Sequence, residues 1–261
     1  MTDTGARADL AARAADAGAR VALASFRGDH TVETKSGKTD VVTQTDRDAQ
    51  RRVVEAIHGR YPDDPVVGEE ENTPTDLTDE GPAWVVDPID GTSNFVRGLR
   101  IWGTSVAGVV DGESVAAATV LPALSDTYLE DAGRVTLNGD PVGVSSREDP
   151  EAFVVDPIVL GDPADTGGTN ALAERFGDVR RLGCAQATLA AVAGGSMEAA
   201  IATVRLDPWD TVAGAHMIHA AGGTVTDLDG EPWRHDSSGL VASNGTAHEA
   251  VLATARRAAG E

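Results

Sequence analysis

A change in hydrophobic patterning halfway along the chain constrains the fold more than any other feature of the sequence. From Ala83 to Leu137 the pattern is β-like, and Asp111-Gly112 is a strong hairpin-turn signal. After roughly Ser146, strand-like and helix-like segments alternate instead. We therefore expect an α+β domain over residues 1–140 and an α/β domain over residues 141–261.

Apolar periodicity places individual helices and strands along both halves. The predicted helices are Thr4–Phe26, about Asp46–Arg60, Asn170–Phe176, Ala185–Ala193, Asp210–Ala221 and Ala247–Ala258. The predicted strands are Pro65–Val67, Trp84–Val86, Ile101–Val110, Ser114–Leu121, Phe153–Val155, Ala199–Val204, Thr224–Leu228 and Leu240–Ser243. Thr45 and Asp48 fit a capping box at the start of the second helix. The Gly/Thr/Lys-rich stretch Arg27–Thr39 is predicted to be a mobile loop.

The formal net charge of −21 is unusual for a chain of 261 residues. Lys35 and Lys38 are its only lysines. A surface this anionic repels nucleic acid and anionic lipid, which argues against both as partners. It is typical of a salt-rich cytoplasm, where ions screen self-repulsion, although drift toward acidity is an alternative.

Cysteine count and hydropathy bear on the compartment. Cys184 is the only cysteine, so no disulfide can form within the chain. No apolar run is long enough to cross a bilayer, and the first predicted helix is apolar on one face only. We therefore expect a cytoplasmic protein.

The segment Asp87-Pro88-Ile89-Asp90-Gly91-Thr92-Ser93-Asn94-Phe95 directly follows a buried strand. Two carboxylates three residues apart at a strand end can converge on one point. The Ile89 carbonyl offers a further oxygen, and oxygen ligands are what Mg²⁺ prefers. The helical turn that begins at Gly91 and Thr92 offers backbone amides to an anion. Asp-Pro and Asp-Gly pairs also mark ordinary turns, but a turn does not need both carboxylates.

Two other acidic residues fit the same site. Glu69 follows the predicted strand Pro65–Val67, and Asp210 begins a predicted helix after Trp209. Taken alone, a Glu run is usually a solvated surface, and Asp at a helix start is usually a cap. Together with the Asp87 segment they indicate a cluster of metal-binding carboxylates.

On these motifs the chain resembles the inositol monophosphatase family, which includes lithium-sensitive Mg²⁺-dependent phosphatases and archaeal-type fructose-1,6-bisphosphatases. The resemblance covers nearly the whole chain. It rests on Gly68-Glu69-Glu70, the Asp87–Phe95 segment, Trp209-Asp210 through Gly223, Asp40–Asp46 and Leu137–Ser145. It implies a layered αβαβα sandwich, a homodimer, two to three Mg²⁺ ions and hydrolysis of a small phosphorylated metabolite by a metal-activated water.

The resemblance also implies roles for individual residues. The metal ligands would be Glu69, Asp87, the Ile89 carbonyl, Asp90 and Asp210. The catalytic residues would be Glu69, Asp46 and Thr92, the last two orienting and deprotonating the attacking water. Substrate contacts would come from Asp90, Gly91, Thr92, Ala185 and Asp210, with the amides of Gly91 and Thr92 holding phosphate. From their positions, His216 and His219 are expected to pack or to be solvated rather than to bind metal, and Cys184 to line the site rather than to act as a nucleophile.

One departure bears on the substrate. Many inositol-specific relatives carry a Glu six residues before the Trp of the Trp-Asp motif, and here that position is Thr203. Arg205 follows, on the same side of the chain if the segment is a strand. An arginine there could bind a second phosphate. Inositol-1-phosphate and fructose-1,6-bisphosphate are therefore the leading candidates.

Other functions remain open on the sequence alone. The enzyme could act on a nucleotide such as 3′-phosphoadenosine 5′-phosphate or NADP. The chain could instead be a non-catalytic acidic metal-binding protein. A nucleotide-dependent transferase is disfavoured, because no glycine-rich P-loop with its lysine is present.

Overall fold

The computed structural model describes residues 4–28, 32–34, 41–70, 73–159 and 167–260. The helices in these ranges are α1 (Thr4–Ser25), α2 (Gln44–His58), α3 (Thr92–Val96), α4 (Gly167–Arg175), α5 (Ala185–Ala193), α6 (Pro208–Ala220) and α7 (His248–Ala259). The strands are β1 (Val32–Thr34), β2 (Val41–Thr43), β3 (Val66–Gly68), β4 (Pro82–Asp90), β5 (Gly103–Val110), β6 (Glu113–Leu121), β7 (Asp126–Asp131), β8 (Arg134–Leu137), β9 (Asp140–Val142), β10 (Val154–Val159), β11 (Asp178–Val179), β12 (Ala199–Ala202), β13 (Thr224–Thr226) and β14 (Leu240–Ser243).

The first half of the chain forms a seven-stranded sheet in the order β3 to β9. Its pairs are antiparallel except β3 and β4, which run parallel. Asp111 and Gly112 join β5 to β6 with φ values of 52° and 79°, the left-handed conformation that a tight hairpin turn requires. The predicted hairpin is confirmed.

The second half forms a five-stranded mixed sheet in the order β11-β10-β12-β14-β13. β10 pairs in parallel with β11 and β12, whereas β14 is antiparallel to β12 and β13. All four residues of β12 and of β14 are buried, which explains their continuous apolar or small-residue sequences.

The two sheets and the helices stack in five layers. Helices α1 and α2 cover one face of the seven-stranded sheet, and α4 and α7 cover the outer face of the five-stranded sheet. Helices α5 and α6 lie between the sheets and contact both. The fold is the expected αβαβα sandwich, with α6 packed against both α5 and β4 at its centre.

The two halves share a hydrophobic cluster. One cluster of buried side chains joins Ala107 of the first sheet, Leu189 of α5, Met217 of α6 and Ala242 of the second sheet. The first sheet also continues to Val142, just past the predicted boundary. The division into domains 1–140 and 141–261 stays a prediction.

Several local predictions are wrong. The capping box of α2 consists of Thr43 and Asp46 rather than Thr45 and Asp48. Thr43 has extended backbone, so its hydroxyl reaches the amide of Thr45 while its own amide reaches the Asp46 carboxylate. β12 ends at Ala202, not Val204, because the chain bends there.

The stretch Arg27–Thr39 is only partly described. Val32–Thr34 forms a strand antiparallel to Val41–Thr43, so the prediction of a loop fails there. Residues 29–31 and 35–40, with both lysines, lie outside the described residues, as do Glu71 and Asn72. Strands β7 to β9 were not predicted individually, because each is short and half polar. The predicted β-like region Ala83–Leu137 includes β7 and β8 but not β9.

Candidate active site

The end of strand β4 carries two buried carboxylates. Asp87 pairs with Ser105, but Asp90 pairs with Gly103, so the β4–β5 register shifts between them. Pro88 has no amide hydrogen for the ladder, and its carbonyl accepts a 2.7 Å hydrogen bond from the Thr104 hydroxyl. The irregularity leaves both Asp87 and Asp90 almost fully buried.

Asp210, in the first turn of α6, completes a cluster with these two residues. Carboxylate oxygens of Asp87, Asp90 and Asp210 all lie within 4.8 Å of one another. Burial, and then the charge of Glu69, raises the pKa of Asp87 well above its usual range. Burial and the charges of Asp90 and Glu69 do the same to the pKa of Asp210. The half-buried Glu69 therefore belongs to the same electrostatic cluster.

The cluster fits a divalent cation. Asp87 Oδ1 is buried and has no hydrogen-bond partner among the described residues. Buried polar atoms are nearly always paired, so this oxygen is available to a ligand. A hard cation would bind this oxygen and would offset the mutual repulsion of the carboxylates. Because all the donors are oxygens, the cluster suits Mg²⁺ better than it suits a softer metal.

Asp90 has a second role that the sequence did not reveal. It caps helix α5 by accepting bonds from Cys184 Sγ (2.9 Å), the Ala185 amide (3.1 Å) and the Gln186 amide (2.5 Å). Burial raises the pKa of Asp90, and these three donors oppose the rise. The sequence signal was indirect: the residue before α5 is Cys184, which is not among the residue types that commonly cap a helix. In the structure Cys184 makes no capping bond of its own.

Asp46 and Thr92 meet beside the cluster. Thr92 Oγ1 lies 3.2 Å from Asp46 Oδ1 and 2.9 Å from the Ile89 carbonyl oxygen, so its one hydrogen can serve either acceptor. Asp46 Oδ2 accepts bonds from the amide and hydroxyl of Thr43. Burial raises the pKa of Asp46 despite these bonds. The capping box of α2 thus orients Asp46 toward Thr92.

Gln50, one turn after Asp46 on α2, holds the segment that carries Glu69. Its Oε1 accepts a 3.0 Å bond from the Glu70 amide, and its Nε2 donates a 3.0 Å bond to the Glu70 carbonyl. Gly68 permits this approach, because a Cβ there would lie 2.7 Å from Gln50 Oε1. No motif in the sequence indicated Gln50.

The backbone that follows Asp90 is held rigidly. Gly91 has φ 82°, and a Cβ there would lie 3.0 Å from Cys184 Cβ, so glycine is required on both counts. Phe95 is fully buried, with its ring edge-on to Trp102 at 4.9 Å between centroids. Packing therefore fixes α3, and with it the amides of Gly91 and Thr92.

The remaining predicted residues lie as follows. Ala185 donates its amide to Asp90 and so borders the cluster. Arg205 is exposed, in the irregular segment between β12 and α6, so the strand geometry that would align it with Thr203 is absent. His216 Nε2 lies 2.8 Å from Glu130 and His219 is exposed, as expected of residues that pack or are solvated.

Comparison with known proteins finds relatives over nearly the whole chain. The profile described as the inositol monophosphatase family matches residues 5–260. A fructose-1,6-bisphosphatase/inositol-1-monophosphatase of Thermotoga maritima is 35% identical over 85% of this chain and 84% of its own length. An inositol-1-monophosphatase of Bacillus subtilis is 30% identical over 91% of both chains. The solved structure of an IMPase of Thermotoga maritima has a TM-score of 0.88 and 31% identity, covering 98% of each chain.

The layered fold, the carboxylate cluster and these relatives define a metal-binding hydrolase of phosphoric monoesters. The chain belongs to the inositol monophosphatase family. Among the described residues, no helix has both the length and the apolarity to span a membrane.

Proposed function

We propose that this protein hydrolyses a small sugar or polyol phosphate with the help of two to three Mg²⁺ ions. The convergence of Asp87, Asp90 and Asp210, with an unpartnered buried oxygen on Asp87, is the observation that carries the proposal. The metal-holding groups would be the carboxylates of Glu69, Asp87, Asp90 and Asp210 and the carbonyl of Ile89. Bound there, Mg²⁺ would supply charge neutralisation for the phosphate and activation of the attacking water.

The other residues of the site have roles that follow from their contacts. Asp46 Oδ1, beside the Thr92 hydroxyl, would accept the proton of the attacking water through that hydroxyl. Because burial raises the pKa of Asp46, this carboxylate is a better proton acceptor than a solvated one. The amides of Gly91 and Thr92 would hold the phosphate, and Ala185 and Asp210 would border the rest of the substrate.

For the substrate we propose inositol-1-phosphate and fructose-1,6-bisphosphate. A similar enzyme of Thermotoga maritima carries both activities in its name. Thr203 in place of a carboxylate removes repulsion toward a second phosphate, and the exposed Arg205 could contact that phosphate across the bend after β12. A charge-assisted hydrogen bond contributes roughly 1.5–3 kcal/mol, so Arg205→Ala should lower kcat/KM for the bisphosphate by about 10- to 100-fold.

Phosphate release over a panel of substrates tests the proposal. The panel should contain both candidates with 3′-phosphoadenosine 5′-phosphate and NADP, each at saturating Mg²⁺ and in EDTA. Release confined to the nucleotides would replace the sugar-phosphate assignment. Mg²⁺ binding without turnover of any compound would indicate a non-catalytic metal-binding protein. Equal losses on both sugar substrates in Arg205→Ala would make Arg205 structural.

The cellular compartment and the oligomeric state are part of the same proposal. We place the enzyme in a salt-rich cytoplasm, on the net charge of −21, and expect a homodimer, on the family resemblance. Light scattering in 0.1 M and in molar KCl measures the mass directly. A particle of one chain's mass at both salt concentrations would contradict the dimer.

A further inference from the structure

Gln186, the second residue of α5, connects the two helices that deliver the acidic cluster. Its side chain is completely buried. Its backbone amide donates to Asp90 Oδ2 at 2.5 Å, and its side-chain Nε2 donates to the Trp209 carbonyl at 2.6 Å. Trp209 immediately precedes Asp210. One residue therefore contacts Asp90 directly and the backbone beside Asp210, although the two aspartates are 120 positions apart in the chain.

We propose that Gln186 is a positioning residue that sets the spacing between Asp90 and Asp210 and thereby the affinity of the site for Mg²⁺. This inference rests on the proposed function, because it takes both aspartates to be metal ligands. It assigns Gln186 no contact with metal or substrate. Its effect passes through the backbone of α6.

The surroundings of Gln186 leave its amide little freedom. Helices α5 and α6 are closely packed at Gly214, where an added Cβ would lie 2.3 Å from Leu189 Cβ and 3.0 Å from Gln186 Oε1. The amide is thus confined between the helices. A shift of Gln186 would have to move α6, and Asp210 with it.

An unpaired oxygen shows that packing alone does not explain this residue. Gln186 Oε1 is buried and has no hydrogen-bond partner among the described residues. Leaving a buried acceptor unpaired costs stability, and Met or Leu would fill the same space without that cost. The benefit of glutamine at this position therefore lies with Nε2 and its bond to the Trp209 carbonyl.

Mg²⁺ binding depends strongly on the spacing of its ligands. It requires near-octahedral geometry at 2.0–2.1 Å, so small displacements of a carboxylate weaken binding. Outer residues that orient metal ligands typically change affinity or activity by 10- to 100-fold when mutated. A loss of that size is expected when the Gln186–Trp209 bond is removed.

The test compares Gln186→Met with Leu189→Met. Leu189 is also fully buried on α5 against Gly214, so the control introduces the same residue at the same helix contact without removing a hydrogen bond. The Tm is measured while Mg²⁺ is added to metal-free protein. We expect Gln186→Met to raise the half-saturating Mg²⁺ concentration by about 10- to 100-fold. Its Tm in EDTA should stay near that of Leu189→Met, whose Mg²⁺ dependence should match wild type.

Several results would overturn the inference. One is an unchanged half-saturating concentration in Gln186→Met, and another is an equal rise in Leu189→Met, which would make the effect one of packing. If Gln186→Met does not fold in EDTA, Gln186→Leu replaces it; failure of both would make Gln186 a determinant of folding. If wild type itself shows no Mg²⁺-induced change in Tm, the proposed function fails instead.

Discussion

Replacing Asp87 by Asn should stabilise the metal-free protein while abolishing its response to Mg²⁺. We choose Asp87 rather than Asp90 because Asp90 also accepts three hydrogen bonds that cap α5, so that its replacement would remove hydrogen bonds as well as charge. Asp87 Oδ1 has no partner among the described residues, so the substitution removes few contacts there. It does remove one of the carboxylates that repel each other in the cluster.

The size of the effect follows from the geometry. One carboxylate oxygen from each of the three aspartates lies within 4.8 Å of the others. Two unit charges at that upper limit repel by about 3.5 kcal/mol at an effective dielectric constant of 20. Burial and neighbouring charges raise the pKa of Asp87, and a proton bound there would offset part of this cost. We expect a net gain of roughly 1–3 kcal/mol at pH 8. For a chain of this size each kcal/mol raises the Tm by roughly 2–4 °C.

Thermal unfolding in EDTA at pH 8 measures this gain. Asp63→Asn is the matched control, because it changes the net charge equally at an exposed position. Asp87→Asn should melt above both wild type and this control in EDTA. In saturating Mg²⁺ the Tm of wild type and of the control should rise, whereas the Tm of Asp87→Asn should stay unchanged. If Asp87→Asn melts no higher than Asp63→Asn in EDTA, the inference that the clustered carboxylates repel one another and destabilise the metal-free protein is refuted.

Three further predictions concern the rest of the molecule. With a net charge of −21, the Tm should rise between 0.01 M and 1 M KCl at fixed Mg²⁺, as the Debye length falls from about 30 to about 3 Å. The ring nitrogens of His248 contact Thr226 and Ser243, and burial lowers the pKa of the ring. As the pH falls below about 6.5, the imidazole is therefore protonated in the unfolded chain before it is protonated in the folded protein. His248 alone should therefore lower stability below that pH, whereas the buried carboxylates with raised pKa values act in the opposite direction. The change in Tm between pH 8 and pH 5 should accordingly be less favourable in wild type than in His248→Gln. Gln50→Met should cost roughly 1–3 kcal/mol, because the Glu70 amide loses its partner.

Each of these has its own contradicting result. A flat Tm across the salt range would argue against adaptation to a salt-rich cytoplasm. Equal slopes of Tm against pH in wild type and His248→Gln would show that His248 does not contribute to the pH dependence of stability. For Gln50 the control is Gln44→Met, at an exposed position of the same helix. Equal stabilities of the two variants in urea would show that the Glu70 contacts contribute nothing.

Local patterns predicted the elements whose signals lie within a few residues. The Asp111-Gly112 hairpin and helix α5 lie where the sequence placed them. The α2 capping box was misplaced by two residues, because Thr43 and Thr45 fit the pattern equally well. Only the extended backbone of Thr43 distinguishes them. Strands β7 to β9 were not separated, because their partners in the sheet rather than their composition make them strands.

The candidate site was predicted as far as its residue types are distinctive. Aspartates at strand and helix ends suggested a cluster, and the structure brings Asp87, Asp90 and Asp210 together. The capping of α5 by Asp90 spans 94 to 96 positions, so no local pattern contains it. Gln50 and Gln186 are equally invisible in the sequence, since a glutamine carries no signature of the backbone group that it contacts.

Titration of Mg²⁺ into the metal-free enzyme, with inorganic phosphate release from fructose-1,6-bisphosphate and inositol-1-phosphate as the readout, tests the central claim most directly. For wild type the account predicts no release in EDTA and saturable release with Mg²⁺. For Asp87→Asn it predicts a loss of at least about 100-fold, beyond what outer residues of a metal site produce. Phosphate release by wild type in EDTA, or wild-type rates from Asp87→Asn at saturating Mg²⁺, would contradict it.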